Sequence, residues 1–125
     1  MATTVLIVDD HPSFRATARM LLEAEGYDVV GEAPDGHSAL ECAGRLAPQV
    51  VLLDVNLPDL DGFAVASRLT AAAGAAGAPA GARPQVVLIS SRDGSDYGPL
   101  VLASGARGFI PKGELSGAAL EAVLA

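Results

Sequence analysis

The chain has 125 residues, a net charge of −7, a pI near 4.5 and an apolar share of 50%. That length favours one domain with one sizeable core, and residues 1–125 read as a single unit. The acidic balance argues against direct nucleic-acid binding, which leaves a basic footprint, and no run of about 18 apolar residues is present to cross a membrane.

Val5 to Val8 is an unbroken, β-branched apolar run, the pattern of a strand buried on both faces of a parallel sheet. It ends in Asp9 and Asp10. Pro12 to Glu25 carries Phe14, Ala18, Leu21 and Leu22 at helical spacing, with Gly26 as a C-cap. Tyr27 to Glu32 reads as a second strand. Asp35 to Leu46 reads as a helix with Ala39, Leu40, Ala43 and Leu46 on its inner face, and Cys42 there reads as core. Val50 to Leu53 is a second unbroken apolar run and ends in Asp54. Asp61 to Ala72 carries Phe63, Val65, Ala66 and Leu69. Residues 71–84 are small and of low complexity, a flexible connection without chemistry. Val86 to Ile89 is a strand followed by Ser90. Ser95 to Ser104 carries Tyr97, Val101 and Leu102. Arg107 to Ile110 is a fifth strand, closely followed by Lys112. Glu114 to Leu124 carries Leu115, Ala119, Leu120 and Val123.

Five strands alternating with five helices predict βαβ units, a parallel sheet and helices on both of its faces. In such sheets ligands bind outside the carboxyl ends of the strands. If the first and third strands are neighbours, three carboxylates meet there and repel. A divalent cation relieves that repulsion, and a hard cation such as Mg2+ takes oxygen ligands. An acidic metal pocket is therefore expected. Seven of the eight basic residues are arginine, so the lone lysine, Lys112, points to a need for an ammonium. Cys42 has no internal disulfide partner, and the first four residues lack the features of a signal peptide. Both fit a cytoplasmic protein.

Asp9-Asp10, Asp54, Ser90 and Lys112 each follow a predicted strand. With the segments Val-Asp-Asp-His-Pro, Asp-Val-Asn-Leu-Pro-Asp-Leu-Asp-Gly and Gly-Ala-Arg-Gly-Phe-Ile-Pro-Lys, they resemble the receiver domain of two-component response regulators. The similarity covers nearly the whole chain and is strongest to the branch whose members often carry a helix-turn-helix output domain. It implies a flavodoxin-like, doubly wound five-stranded sheet of order 2-1-3-4-5 with five helices. It implies that Asp54 accepts a phosphoryl group from a sensor histidine kinase or a histidine phosphotransfer protein and forms an acyl phosphate. Asp10 and Asp54 would bind Mg2+ (or Mn2+) through carboxylates, Asn56 through its backbone carbonyl, and Asp9 through a coordinated water. Asp10 also suits a helix N-cap, a role compatible with metal binding. Lys112 would reach a phosphoryl oxygen. The Ser90 hydroxyl would hydrogen-bond the phosphoryl group and draw its loop inward, with the small Ser91 leaving access for the donor. Phe109 matches the family's switch aromatic, against the alternative of an ordinary core ring.

His11 and His37 are read as non-ligands. Gly113 stands where many receivers have proline, and the connection before the fourth strand is longer than usual. Arg92 lies near the pocket, where it would influence the phosphorylated lifetime. Phosphorylation would switch the face around the fourth helix and fifth strand toward a partner or a second copy, with no membrane involved and no turnover of a substrate. Two rivals are weighed. A dehalogenase-type phosphatase wants an acid at position 56, where this chain has Asn56, and a cap domain for which there is no room. A receiver-like interaction module that works without phosphorylation usually lacks pocket residues, and here all five are present. The sequence fits both a stand-alone regulator and the receiver of a DNA-binding regulator.

Overall fold

The computed structural model describes residues 2–72, 84–91 and 97–125. Arg92, most of the low-complexity connection and the start of the predicted fourth helix lie outside them. The strands are β1 (Thr4–Val8), β2 (Asp28–Ala33), β3 (Val50–Asp54), β4 (Gln85–Ser90) and β5 (Gly108–Pro111). The helices are α1 (Pro12–Ala24), α2 (Gly36–Leu46), α3 (Gly62–Ala72), α4 (Gly98–Ala103) and α5 (Gly117–Leu124). All strand pairs are parallel, in the order β2-β1-β3-β4-β5. This is the flavodoxin-like doubly wound sheet that the resemblance implies.

The apolar runs are unbroken because both faces of the central strands are covered. Successive side chains point to opposite faces. Leu6, Val8, Val51, Leu53, Val86 and Leu88 pack on one face with Ala39 of α2, Val65 and Leu69 of α3 and Val101 of α4. Val5, Ile7, Val50, Leu52, Val87 and Ile89 pack on the other with Ala18 and Leu22 of α1 and Leu120 of α5.

Caps set the helix ends. Pro12 starts α1, where its missing N–H costs nothing. Gly26 takes a left-handed φ of 94° just past the end of that helix, as its C-capping role requires. The Asp35 carboxylate accepts from the Ser38 N–H at 2.8 Å. Several boundaries shift by one residue from expectation, and the start of α5 shifts by three. Lys112–Glu114 forms a 3-10 turn, Leu115 is extended, and α5 starts only at Gly117, because the Ser116 hydroxyl accepts from the Ala119 N–H at 2.9 Å. Serine is a strong N-cap and Glu114 is not.

The register aligns the site. Val8 pairs with Leu53, so Asp9 and Asp54 emerge side by side from β1 and β3. Asp54 pairs with Ile89 and Ser90 with Pro111, which brings Ser90 and Lys112 to the same edge.

The backbone after β3 folds back tightly. A Cβ on Gly62 would collide with the Asp54 carbonyl oxygen and lie 2.5 Å from the Val55 Cα. Backbone cannot retreat as a flexible side chain can. Gly62→Ala is therefore expected to lower stability by about 1–3 kcal/mol through overpacking. Gly44, inside α2 with nothing within 4 Å of such a Cβ, should show the opposite sign, with Ala stabilising by about 0.5–1 kcal/mol. Urea unfolding midpoints of the two variants check both directions.

Candidate functional site

Asp9 and Asp54 are buried, at 0% and 2% exposure. Burial of an ionised carboxylate is costly unless it is paired, and both reach the same cation. Lys112 Nζ lies 2.5 Å from Asp9 Oδ2 and 3.1 Å from Asp54 Oδ2. The Asp54 contact is a hydrogen bond; Asp9 Oδ2 is buried without an aligned hydrogen bond of its own. The ammonium also stands 4.7 Å above the Phe14 ring centroid, a cation–π contact that steadies it from α1. Asp54 Oδ1 accepts from the Asn56 N–H at 3.0 Å. The Asp54 carboxylate is thus gripped at both oxygens.

Asp10 sits one residue further out and is exposed. His11 folds back over the acid pair. Its N–H donates to Asp9 Oδ1 at 2.8 Å, and its Nδ1 lies 3.1 Å from both Asp9 Oδ1 and Asp10 Oδ1. Arg15 donates to the Asp9 carbonyl at 2.6 Å and is itself held by Glu32, which also pairs with Arg19. The acid loop is therefore tied to β2 through α1.

Ser90 is fully buried at the end of β4, with Ser91 exposed beside it. Phe109 on β5 is half-buried. Its ring meets Tyr97 at 5.7 Å, and Tyr97 meets Phe63 at 5.5 Å. Phe109 thus joins an aromatic row toward α4 rather than the acid cluster.

Asp59 binds the loop after β3 to the start of α2. Its carboxylate accepts from the N–H groups of Gly36 at 2.7 Å and His37 at 3.0 Å, and it pairs with His37 Nδ1 at 2.5 Å. Desolvation pushes the Asp59 carboxyl up, but these donors outweigh it and hold it well below the usual carboxylate range. The helix N-terminus favours that charge.

The sequence-predicted residues Asp9, Asp54 and Lys112 touch, with Asn56 joining through its backbone. Asp10 and Ser90 border them, and Phe109 stands apart. The roles of Phe14, Arg15, Tyr97 and Asp59 escaped the sequence reading. His11 joins the acids and His37 has a partner, although neither histidine showed a pattern. Only Arg15 offered a signal: an arginine in the first turn of α1, five residues after Asp10, the acid that closes the first strand run.

Donor atoms of Asp9, Asp10, His11 and Asp54 all lie within 4.8 Å of one another. Three carboxylates share one ammonium there, and the mostly oxygen donor set fits a divalent cation. Burial pushes the Asp54 carboxyl upward, the Asn56 and Lys112 donors pull it down, and the Asp9 charge adds to the rise, for a net upward shift. Burial alone would lower Lys112, but the hydrogen bonds and charges of Asp9 and Asp54 hold it above its ordinary value.

Fold and site together define a doubly wound α/β domain with an acidic, lysine-bearing pocket at the carboxyl edge of its sheet. The family model for the response regulator receiver domain matches residues 5–124, and the chain belongs to that family. It is 38% identical over 114 residues to the virulence-factor transcription regulator BvgA of Bordetella pertussis, covering 91% of this chain and 51% of BvgA. It is 35% identical over 122 residues to the nitrate/nitrite response regulator NarP of Escherichia coli, covering 97% of this chain and 53% of NarP. Its fold matches the signal receiver domain of the response regulator NarL from Mycobacterium tuberculosis with a TM-score of 0.78 and 34% identity, covering 98% and 97% of the two chains. The chain spans about half the length of these two full-length relatives. Among the described residues no helix is long and apolar enough to cross a membrane.

The raised Asp54 pKa has a definite sign for stability. A carboxyl raised on folding is best tolerated below its unfolded pKa, and its contribution is lost as pH climbs through the higher folded value. Asp54→Asn removes that loss. In chelator-treated buffer the variant should melt above the wild type at pH 7, and the gap should close as pH falls below the ordinary aspartate range. Thermal melts between pH 3 and 8 test this.

Proposed function

We propose that this domain is a phosphoryl-accepting switch of two-component signalling, with Asp54 as the acceptor. The observation that carries the reading is the double grip on Asp54, by Lys112 Nζ and the Asn56 N–H, beside Asp9 and Asp10. Phosphoryl transfer asks a protein mainly for positioning and charge compensation. An Asp54 carboxylate oxygen attacks the phosphorus of a phosphohistidine on a sensor kinase or phosphotransfer protein. The phosphorus–nitrogen bond breaks, imidazole leaves, and Asp54 carries an acyl phosphate.

Asp10, Asp54 and the Asn56 carbonyl would hold Mg2+ or Mn2+, with Asp9 acting through a water. When bound, the cation offsets charge on the phosphoryl oxygens. Lys112, already beside Asp54, shifts its ammonium onto a phosphoryl oxygen. Ser90, at the same edge, donates its hydroxyl to the phosphoryl group. That pull on the β4 end reaches Phe109 through the α4 side, where Tyr97 and Phe63 continue the row. The face around α4 and β5 then favours a partner or a second copy.

The domain is a switch and not an enzyme turning over a substrate. Similarity to BvgA and NarP supports transcription control as the output and the cytoplasm as its setting. The net charge of −7 leaves nucleic-acid contact to other parts of such a regulator.

Incubation with Mg2+ and acetyl phosphate, followed by intact-mass measurement, tests the reading. The wild type is expected to gain one phosphoryl group and Asp54→Asn none. No gain, or a gain that survives the substitution, would favour an interaction module that works without phosphorylation.

A further inference from the structure

We propose that His11 is a nitrogen ligand of the acidic pocket, giving it a preference for imidazole-binding divalent cations such as Ni2+ and Co2+ beyond what its carboxylates provide. The inference rests on the phosphoacceptor reading only in taking the same acids as cation ligands.

His11 directly follows the acid pair and precedes Pro12, the first residue of α1. The hydrogen bond from its N–H to Asp9 Oδ1 turns the residue back over the pocket. Its ring nitrogen then comes within 3.1 Å of one oxygen from each of Asp9 and Asp10. Lys112 occupies the other oxygen of Asp9, so ammonium and imidazole flank this carboxylate from opposite ends. Donor atoms of Asp9, Asp10, His11 and Asp54 lie within 4.8 Å of one another, so the imidazole nitrogen stands in the same cluster as the carboxylates.

The donor chemistry follows from that placement. Mg2+ prefers oxygen and keeps several waters. Imidazole suits nickel, zinc and copper, which bind mixed nitrogen and oxygen sets more tightly. Nδ1 faces two carboxylate oxygens that only accept, so it carries the proton in the metal-free pocket. On coordination Nδ1 gives up that proton and offers its lone pair to the cation, while Nε2 takes a proton from solvent, so the ring stays a neutral imidazole. The ring is 64% exposed, so it adjusts without repacking the core.

The chain holds two histidines, and His37 provides the control. Ni2+ and Mg2+ are titrated calorimetrically into wild type, His11→Gln and His37→Gln, and Co2+ complexes are examined for hyperfine-shifted imidazole resonances. Loss of an outer-shell partner alone costs about 10–100-fold in metal affinity, so His11→Gln should lose at least about tenfold for Ni2+. Its Mg2+ affinity should change by less than about twofold, since that ion relies on oxygen. The shifted resonance should appear in wild type and His37→Gln and vanish in His11→Gln. Equal Ni2+ affinity in His11→Gln, or a Co2+ complex without a shifted His11 resonance, overturns the inference. If Mg2+ and acetyl phosphate still act normally in that case, the phosphoacceptor reading stands alone. Nickel bound through His11 in a chain that takes neither Mg2+ nor phosphoryl would leave this inference standing and remove that reading.

Discussion

The Lys112 ammonium lies between two buried carboxylates, Asp9 and Asp54, and the carboxyl edge of the sheet answers to that arrangement. At 3.1 Å one such pair attracts by about 5 kcal/mol at an effective dielectric of about 20. Desolvation of each buried ion opposes it by several kcal/mol. One ammonium therefore does not offset two buried carboxylates with a third, Asp10, beside them. The upward shift of Asp54 comes first from burial, which the Asn56 and Lys112 donors only partly offset, and the Asp9 charge adds to it. The pocket holds more negative charge than its own lysine neutralises, and added positive charge relieves it.

Such an excess survives only on a rigid frame. The parallel register brings Asp9, Asp54, Ser90 and Lys112 to one edge from four different strands. Both faces of the central strands are packed, so the edge cannot splay to dilute the charge. The loops are held as well. Arg15 and Glu32 tie the Asp9 carbonyl to β2, Phe14 supports the ammonium, and Asp59 fastens the loop after Asp54 to the start of α2. Gly62 lets that loop pass close behind the Asp54 backbone. Stability elsewhere maintains a strained site here, the common condition of functional sites.

Much of this was legible in the chain. The strands stood out because burial on both faces removes polar alternation, leaving runs such as Val5 to Val8. The acids stood out because each closes such a run, and Lys112 because it is alone among arginines. Periodicity does not reveal strand order, so the adjacency of β1 and β3 rested on resemblance until the register showed it. What stayed hidden depends on turns and distant partners. His11 reaches the acids through a backbone hydrogen bond to its neighbour's side chain, which spacing does not encode. Asp59 caps a helix 23 residues earlier in the chain. Phe14 looked like ordinary helix core, and its position under an ammonium depends on β5. The late start of α5 reflects Ser116 outcompeting Glu114 as a cap.

The central claim is that Asp54 is buried in a pocket with too little positive charge. Carboxyl-carbon NMR titration of Asp54 tests it most directly, in wild type and in Lys112→Met, with and without Mg2+. Asp54 should titrate above the ordinary aspartate range, rise further when Lys112 is lost, and fall when Mg2+ is added. An Asp54 that titrates at or below the ordinary range, indifferent to both Lys112 and Mg2+, would contradict the account.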